Sequence, residues 1–192
     1  RPFDAARSGL SLGEGAAFLL LETEVSARAR GRSPIAELRG WAVGAEAHHI
    51  TNPQPSGEMA ARVMSEAIAG AELEPSSIDY VNAHAPSTSI GDASELKALK
   101  SVFPLPQEVM ISSTKALTGH GLSLSSIMEA SFCCLALKDG FLPGSAHVTD
   151  PDPEIGHLRL LRQTEQTQAK RILSNSSGFG GANVSVIFEQ AE

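Results

Sequence analysis

Short apolar runs alternate along this chain with segments of helical period, and that alternation restricts the possible folds more than any other feature. Ile35–Val43, Ile78–His84, Val109–Ser112, Arg171–Ser174 and Asn183–Phe188 read as strands. Ala16–Leu21 is a further, continuous apolar run, of the kind that suits a strand buried on both faces. A short charged helix follows over Glu22–Arg30, with Gly31 placed to close it. Ser56 opens a helix with Met59, Val63, Met64, Ala67 and Ile68 on one face and Gly70 near its end. Asp92 with Glu95 has the form of a capping box for a helix through Leu96, Leu99 and Phe103. Thr118 is positioned to cap a longer helix to about Lys138, with Leu122, Ile127, Met128, Phe132 and Leu135 as its apolar residues. Phe141–Pro153 reads as loop. The last two strands flank Gly178-Phe-Gly-Gly181 and should pair antiparallel through that turn. The expected fold is therefore α/β: a layered mixed sheet with helices on both faces.

Composition narrows the function. With 192 residues, 42% of them hydrophobic, the chain suits one domain or one large half of a bigger one. A net charge of −7 argues against a nucleic-acid partner, which needs a basic face. An acidic protein partner would need a local basic cluster. Cys133 and Cys134 are adjacent, poorly placed to bond each other, and read as reduced thiols. No signal peptide and no membrane-spanning apolar run is evident, so a cytoplasmic location away from the membrane is the expectation. Arg1-Pro-Phe-Asp reads as the middle of a longer protein.

Three polar motifs sit at strand ends, where α/β folds commonly place reactive groups. They are Asn82-Ala-His84, the stretch Ser113-Thr-Lys115 to Thr118-Gly-His120, and Asn175-Ser-Ser-Gly178-Phe-Gly-Gly181. Each has a plainer reading by itself: a hydrogen-bonded structural histidine, a solvated lysine, a hairpin turn. Metal binding by two histidines would need a third ligand, and none stands at ligand spacing, so no metal site is expected. His48 and His49 read as surface residues, and His147 and His157 show no partner.

Taken together and in order, these motifs resemble the C-terminal active-site motifs of the β-ketoacyl-[acyl carrier protein] synthases, most nearly the elongating type with a Cys-His-His site. Arg1-Pro-Phe-Asp and Gly13-Glu-Gly15 also resemble segments of that family, so the similarity runs along nearly the whole chain. The resemblance implies the thiolase fold. Residues 1–33 would be the last strand and helix of its N-terminal half, and 34–192 its C-terminal half. It implies His84 and His120 as donors to an enolate oxygen, and Lys115 paired with Glu129 behind them. It also implies Phe179 as oxyanion-hole N–H and gate, within the glycine turn Gly178, Gly180 and Gly181, and Thr88 as a pantetheine contact. The nucleophilic cysteine would lie in the N-terminal half and not in this chain; Cys133 and Cys134 fall mid-helix, where the family has none. No resident cofactor is implied, since phosphopantetheine arrives on the carrier protein. The implied partners are that N-terminal half, an acyl carrier protein, and a second synthase subunit in a homodimer or heterodimer.

Four positions depart from the family pattern. Ala85-Pro86-Ser87-Thr88 stands where Gly-Thr-Ser-Thr is usual, Ser177 replaces a phenylalanine and Ala182 a threonine. Pro86 removes a hydroxyl and an N–H, and Ala85 would tolerate a positive φ less readily than glycine. Two other readings follow: a non-catalytic partner like a chain-length factor, and an inactive structural fragment.

Overall fold

Strands β1 (Ala36–Ala45), β2 (Tyr80–Asn82), β3 (Met110–Ser112), β4 (Phe141–Leu142), β5 (Arg159–Leu160), β6 (Glu165–Gln166), β7 (Arg171–Ser177) and β8 (Ala182–Gln190) form two sheets in the computed structural model, which describes residues 1–107 and 109–191. Six of them make one mixed sheet in the order β1-β8-β7-β2-β3-β5, while β4 and β6 pair separately. β7, β2, β3 and β5 run parallel; β8 turns back against β7, and β1 against β8.

The helices are α1 (Glu24–Ala29), α2 (Glu58–Gly70), α3 (Ser89–Val102), α4 (Lys115–Thr118) and α5 (Ser125–Asp139). Strand alternation divides the core between two faces. Val81, Ile111, Leu173 and Ile187 pack with Val63, Met64 and Ala67 of α2 and with Leu96 and Leu99 of α3. Their neighbours Tyr80, Ile172 and Phe188 pack on the other face with Ala130, Cys133, Ala136 and Leu137 of α5. The α/β layering with helices on both faces is as the sequence predicts, and so is the antiparallel β7–β8 pair. Gly31 takes φ +65° just after α1.

Five expectations are corrected. Ala16–Leu21 forms no strand, and Phe18, Leu20 and Leu21 are exposed. None of the strand pairings in the described residues includes this segment, so its apolar side chains have no sheet to bury them. Helix α3 begins earlier than the Asp92/Glu95 pair suggests. Thr88 is its N-cap, accepting the Gly91 N–H at 3.2 Å, and both acidic side chains are buried. The long helix from Thr118 is interrupted, because the amide and carbonyl of His120 bond to Ser11 and Gly13 rather than to helical neighbours. Gly119 and Leu122 both take positive φ there. Finally, α5 turns a different face inward. Ser125, Glu129, Ala130, Cys133, Ala136 and Leu137 are buried, and Leu122 and Leu135 are exposed. Polar contacts of Ser125 and Glu129 with the site set this rotation. The predicted loop over 141–153 also contributes the short strand β4.

Candidate active site

All three sequence motifs leave one edge of the sheet. Asn82 at the end of β2 lies in register with Ser112 of β3 and Ser174 of β7. His84, Lys115 and Phe179 follow just beyond the C-terminal ends of these three neighbouring parallel strands, so the topology carries them to the same side.

His84 and His120 meet edge to face, with ring centroids 5.2 Å apart and planes at 79°. The hydrogen bonds of His120 define its tautomer. Its Nδ1 accepts the Leu122 N–H at 3.1 Å and faces the Ser125 hydroxyl at 2.8 Å, so the ring proton sits on Nε2. Burial, followed by the nearby Lys115 charge, lowers the His120 pKa. For His84, burial and then Lys115 and His120 hold the pKa well below the usual histidine range. Two neutral imidazoles therefore share the site at neutral pH.

Lys115 is ion-paired to Glu129, with both side chains almost fully buried. Burial pushes the Glu129 carboxyl up to about 7 against the opposing pull of Lys115. Neither the lysine nor the carboxylate is a surface charge. This removes the solvated-lysine reading.

Glu95 organises the His84 loop. One carboxylate oxygen accepts the His84 N–H at 2.9 Å and the Asn175 amide at 2.6 Å; the other accepts the Ala85 N–H at 2.7 Å. Asp92 accepts the Ser87 N–H and the Phe3 N–H, each at 2.9 Å. Both residues went unrecognised as site residues, although they lie on the same helical stripe as Leu96 and Leu99, a signal that could have marked them as buried. The left-handed residue in this loop is Ser87, at φ +74°, and not Ala85, whose methyl is buried in the core. Thr88 caps α3 through its side-chain oxygen.

Phe179 is 73% exposed at the turn between β7 and β8. The turn is fixed from below. The Ser177 hydroxyl donates to Asn183 Oδ1 at 2.8 Å, and Asn183 Nδ2 donates to Glu46 Oε1 at 3.0 Å. Gly180 donates to the Ile50 carbonyl at 2.7 Å. Gly181, at φ +83°, lies so near the Glu46 backbone that an added Cβ would come within 2.7 Å of its carbonyl oxygen. His48 and His49 are exposed, as is His147. His157, expected to have no partner, bonds the Phe103 carbonyl at 2.6 Å. Burial raises the thiol pKa of both Cys133 and Cys134. No helix among the described residues is long and apolar enough to cross a membrane.

Known proteins share this fold and family. The family described as "Beta-ketoacyl synthase, C-terminal domain" matches residues 35–149. A curated relative, 3-oxoacyl-[acyl-carrier-protein] synthase 2 of Staphylococcus aureus (strain COL), is 39% identical across 100% of this chain and 47% of its own length. The chain thus spans about half the length of the curated relatives it matches. A solved type II polyketide synthase acyl-carrier protein in complex with its ketosynthase, bound to the hexaketide, superposes with a TM-score of 0.95 at 30% identity. That match covers 100% of this chain and 47% of the other. The ishigamide ketosynthase/chain length factor gives a TM-score of 0.93 at 31% identity, covering 99% and 46%. With its fold, its ordered motifs and its matched residues in agreement, this chain belongs to the β-ketoacyl synthase family and carries that family's C-terminal domain.

Proposed function

We propose that this chain supplies the histidine–histidine–lysine part of a decarboxylating condensing site in fatty acid or polyketide synthesis. The paired neutral imidazoles of His84 and His120 carry the reading. Decarboxylation breaks the C–C bond to the malonyl carboxylate and moves its electron pair onto the thioester carbonyl oxygen. That oxygen becomes an enolate and needs donors already in place. His120, with its proton on Nε2, meets the need without a full charge, and His84 supplies the second donor beside it. The enolate carbon then attacks an acyl thioester on a cysteine; the new C–C bond forms and the cysteine leaves as thiolate. Lys115, held by Glu129, sets the local field and keeps the imidazoles neutral. The backbone N–H of Phe179 joins the oxyanion hole, and Thr88 contacts the pantetheine arm of the carrier protein.

The cysteine comes from a second half of the protein. Raised thiol pKa values, on a buried Cys133 and a partly buried Cys134, make both poor nucleophiles. On the α5 side of β1, Trp41 and Val43 are 65% and 60% exposed, and Phe18 is 91% exposed. Apolar exposure of this kind marks an interface, and the relatives hold a further half of their length to cover it. Residues 1–33 belong to that half by resemblance. A carrier protein and a second synthase subunit complete the assembly, as in the solved ketosynthase–carrier protein complex and the ketosynthase/chain length factor.

The test joins this chain to an N-terminal half bearing the cysteine and assays it with acyl- and malonyl-carrier protein. The joined protein should release CO₂ and condensed product, the chain by itself neither, and His120→Ala should abolish both. Turnover by the separate chain, or a joined enzyme indifferent to His120→Ala, would overturn the proposal. A joined protein that binds but never condenses would instead favour the chain-length-factor reading.

A further inference from the structure

We infer that residues 3–13 act as a positioning strap holding the two histidine-bearing loops in fixed relation, with the contact between Gly13 and Gly119 as its tightest point. The inference rests on His84 and His120 working together as proposed above.

The strap is anchored at one end in the core. Phe3 is fully buried, and its N–H donates to Asp92, whose other oxygen accepts from Ser87 in the His84 loop. Arg7 donates to the carbonyls of Thr88 at 3.3 Å and Ser89 at 3.2 Å, and pairs with Asp152. The Gly9 N–H reaches the Ser87 carbonyl at 2.9 Å. Ser87 is thereby held from both sides in its left-handed conformation.

The strap then crosses to the second histidine. Leu12 forms a parallel bridge with His120. The His120 N–H donates to Ser11 at 2.7 Å, and Gly13 donates to the His120 carbonyl at 3.1 Å. A Cβ at Gly13 would stand 2.2 Å from the Thr118 carbonyl oxygen. One at Gly119 would stand 2.9 Å from both the Gly13 nitrogen and the Leu12 oxygen. Neither glycine accepts a side chain unless the backbones part. Donors that act on a developing charge must be held to within about 0.5 Å, and loops of this kind do not hold themselves. A segment that only filled core space would need Phe3 but not this double backbone bracket on His120.

Long-range ¹H–¹⁵N spectra of the histidine rings in the full chain, wild type against Gly13→Ala, test the inference. Wild-type His120 should show the Nε2–H tautomer. In Gly13→Ala its signals should move toward a tautomer mixture and its titration midpoint should rise, while His157 stays unchanged. Gly31→Ala, at a positive-φ position with open space around it, controls for general loss of stability and should leave His120 in place. Should Gly13→Ala fail to fold, amide exchange of the wild type decides. Gly9, Gly13 and His120 should exchange at one common rate. Unmoved His120 signals in a folded Gly13→Ala, or unrelated exchange rates, would sink the strap. These spectra report position and not turnover, so a failed condensation assay would leave their outcome intact.

Discussion

Lys115 and Glu129 form an ion pair whose side chains are only 2% and 0% exposed, behind the two histidines. Removing one member leaves the other charge buried and unpaired, which costs about 3–5 kcal/mol. Glu129→Ala should therefore lower the urea midpoint by about 1–2 M for an m-value near 3 kcal/mol/M. Lys115→Met combined with Glu129→Leu should recover most of that loss, since a packed apolar pair carries no stranded charge. A double variant as unstable as Glu129→Ala would contradict this account.

Both site imidazoles should be neutral at pH 7. Burial lowers the pKa of His84 and His120, and the Lys115 charge adds to it. An NMR titration should find both midpoints below the usual value of about 6.5, with His84 the lower. In Lys115→Met the two midpoints should rise, because the repelling charge is gone.

Asp92 should make stability depend on pH in the opposite sense to an ordinary salt-bridged carboxylate. Burial raises it to about 7 against the pull of the Phe3 and Ser87 N–H groups and Arg7, with Glu95 adding to the rise. The folded state then keeps a proton that the unfolded chain releases near pH 3.9. This contribution is complete below about pH 3.9 and is lost as pH rises through 7. Glu129 acts in the same direction. His84, with its lowered pKa, acts oppositely: its contribution is present above about pH 6.5 and lost as pH falls below it. Urea midpoints measured from pH 5 to 8 should fall less steeply in Asp92→Asn than in the wild type.

Ser177 should matter to the Phe179 turn and through it to the acyl chain. Its hydroxyl fixes the Asn183 amide, which in turn bonds Glu46. Ser177→Ala should cost about 0.5–1.5 kcal/mol of stability. In the complete two-half enzyme, Ser177→Phe should shift preference toward slimmer acyl chains, and Pro86→Thr should lower the KM for malonyl-carrier protein. Unchanged KM and chain preference would make both departures neutral.

Much of this protein was legible in its sequence because local chemistry repeats with a fixed period. The alternation Tyr80-Val81 and Ile172-Leu173 divides cleanly between the two faces of the sheet. The glycines of 178–181 mark the turn between β7 and β8. The ordered motifs around His84, His120 and Phe179 carry the family resemblance in the sequence itself. Tertiary structure decided what depends on distant partners. Ala16–Leu21 has the composition of a central strand but no neighbouring strand here. Asp92 and Glu95 have the spacing of a capping box, yet they turn inward because loop N–H groups from Phe3, Ser87, His84 and Ala85 need acceptors. Helix α5 turns Ser125 and Glu129 inward together with Leu137 and leaves Leu135 exposed, because a buried lysine and a histidine claim those polar groups. Periodicity reports what one segment can bury; only the packed chain determines which distant group it must satisfy.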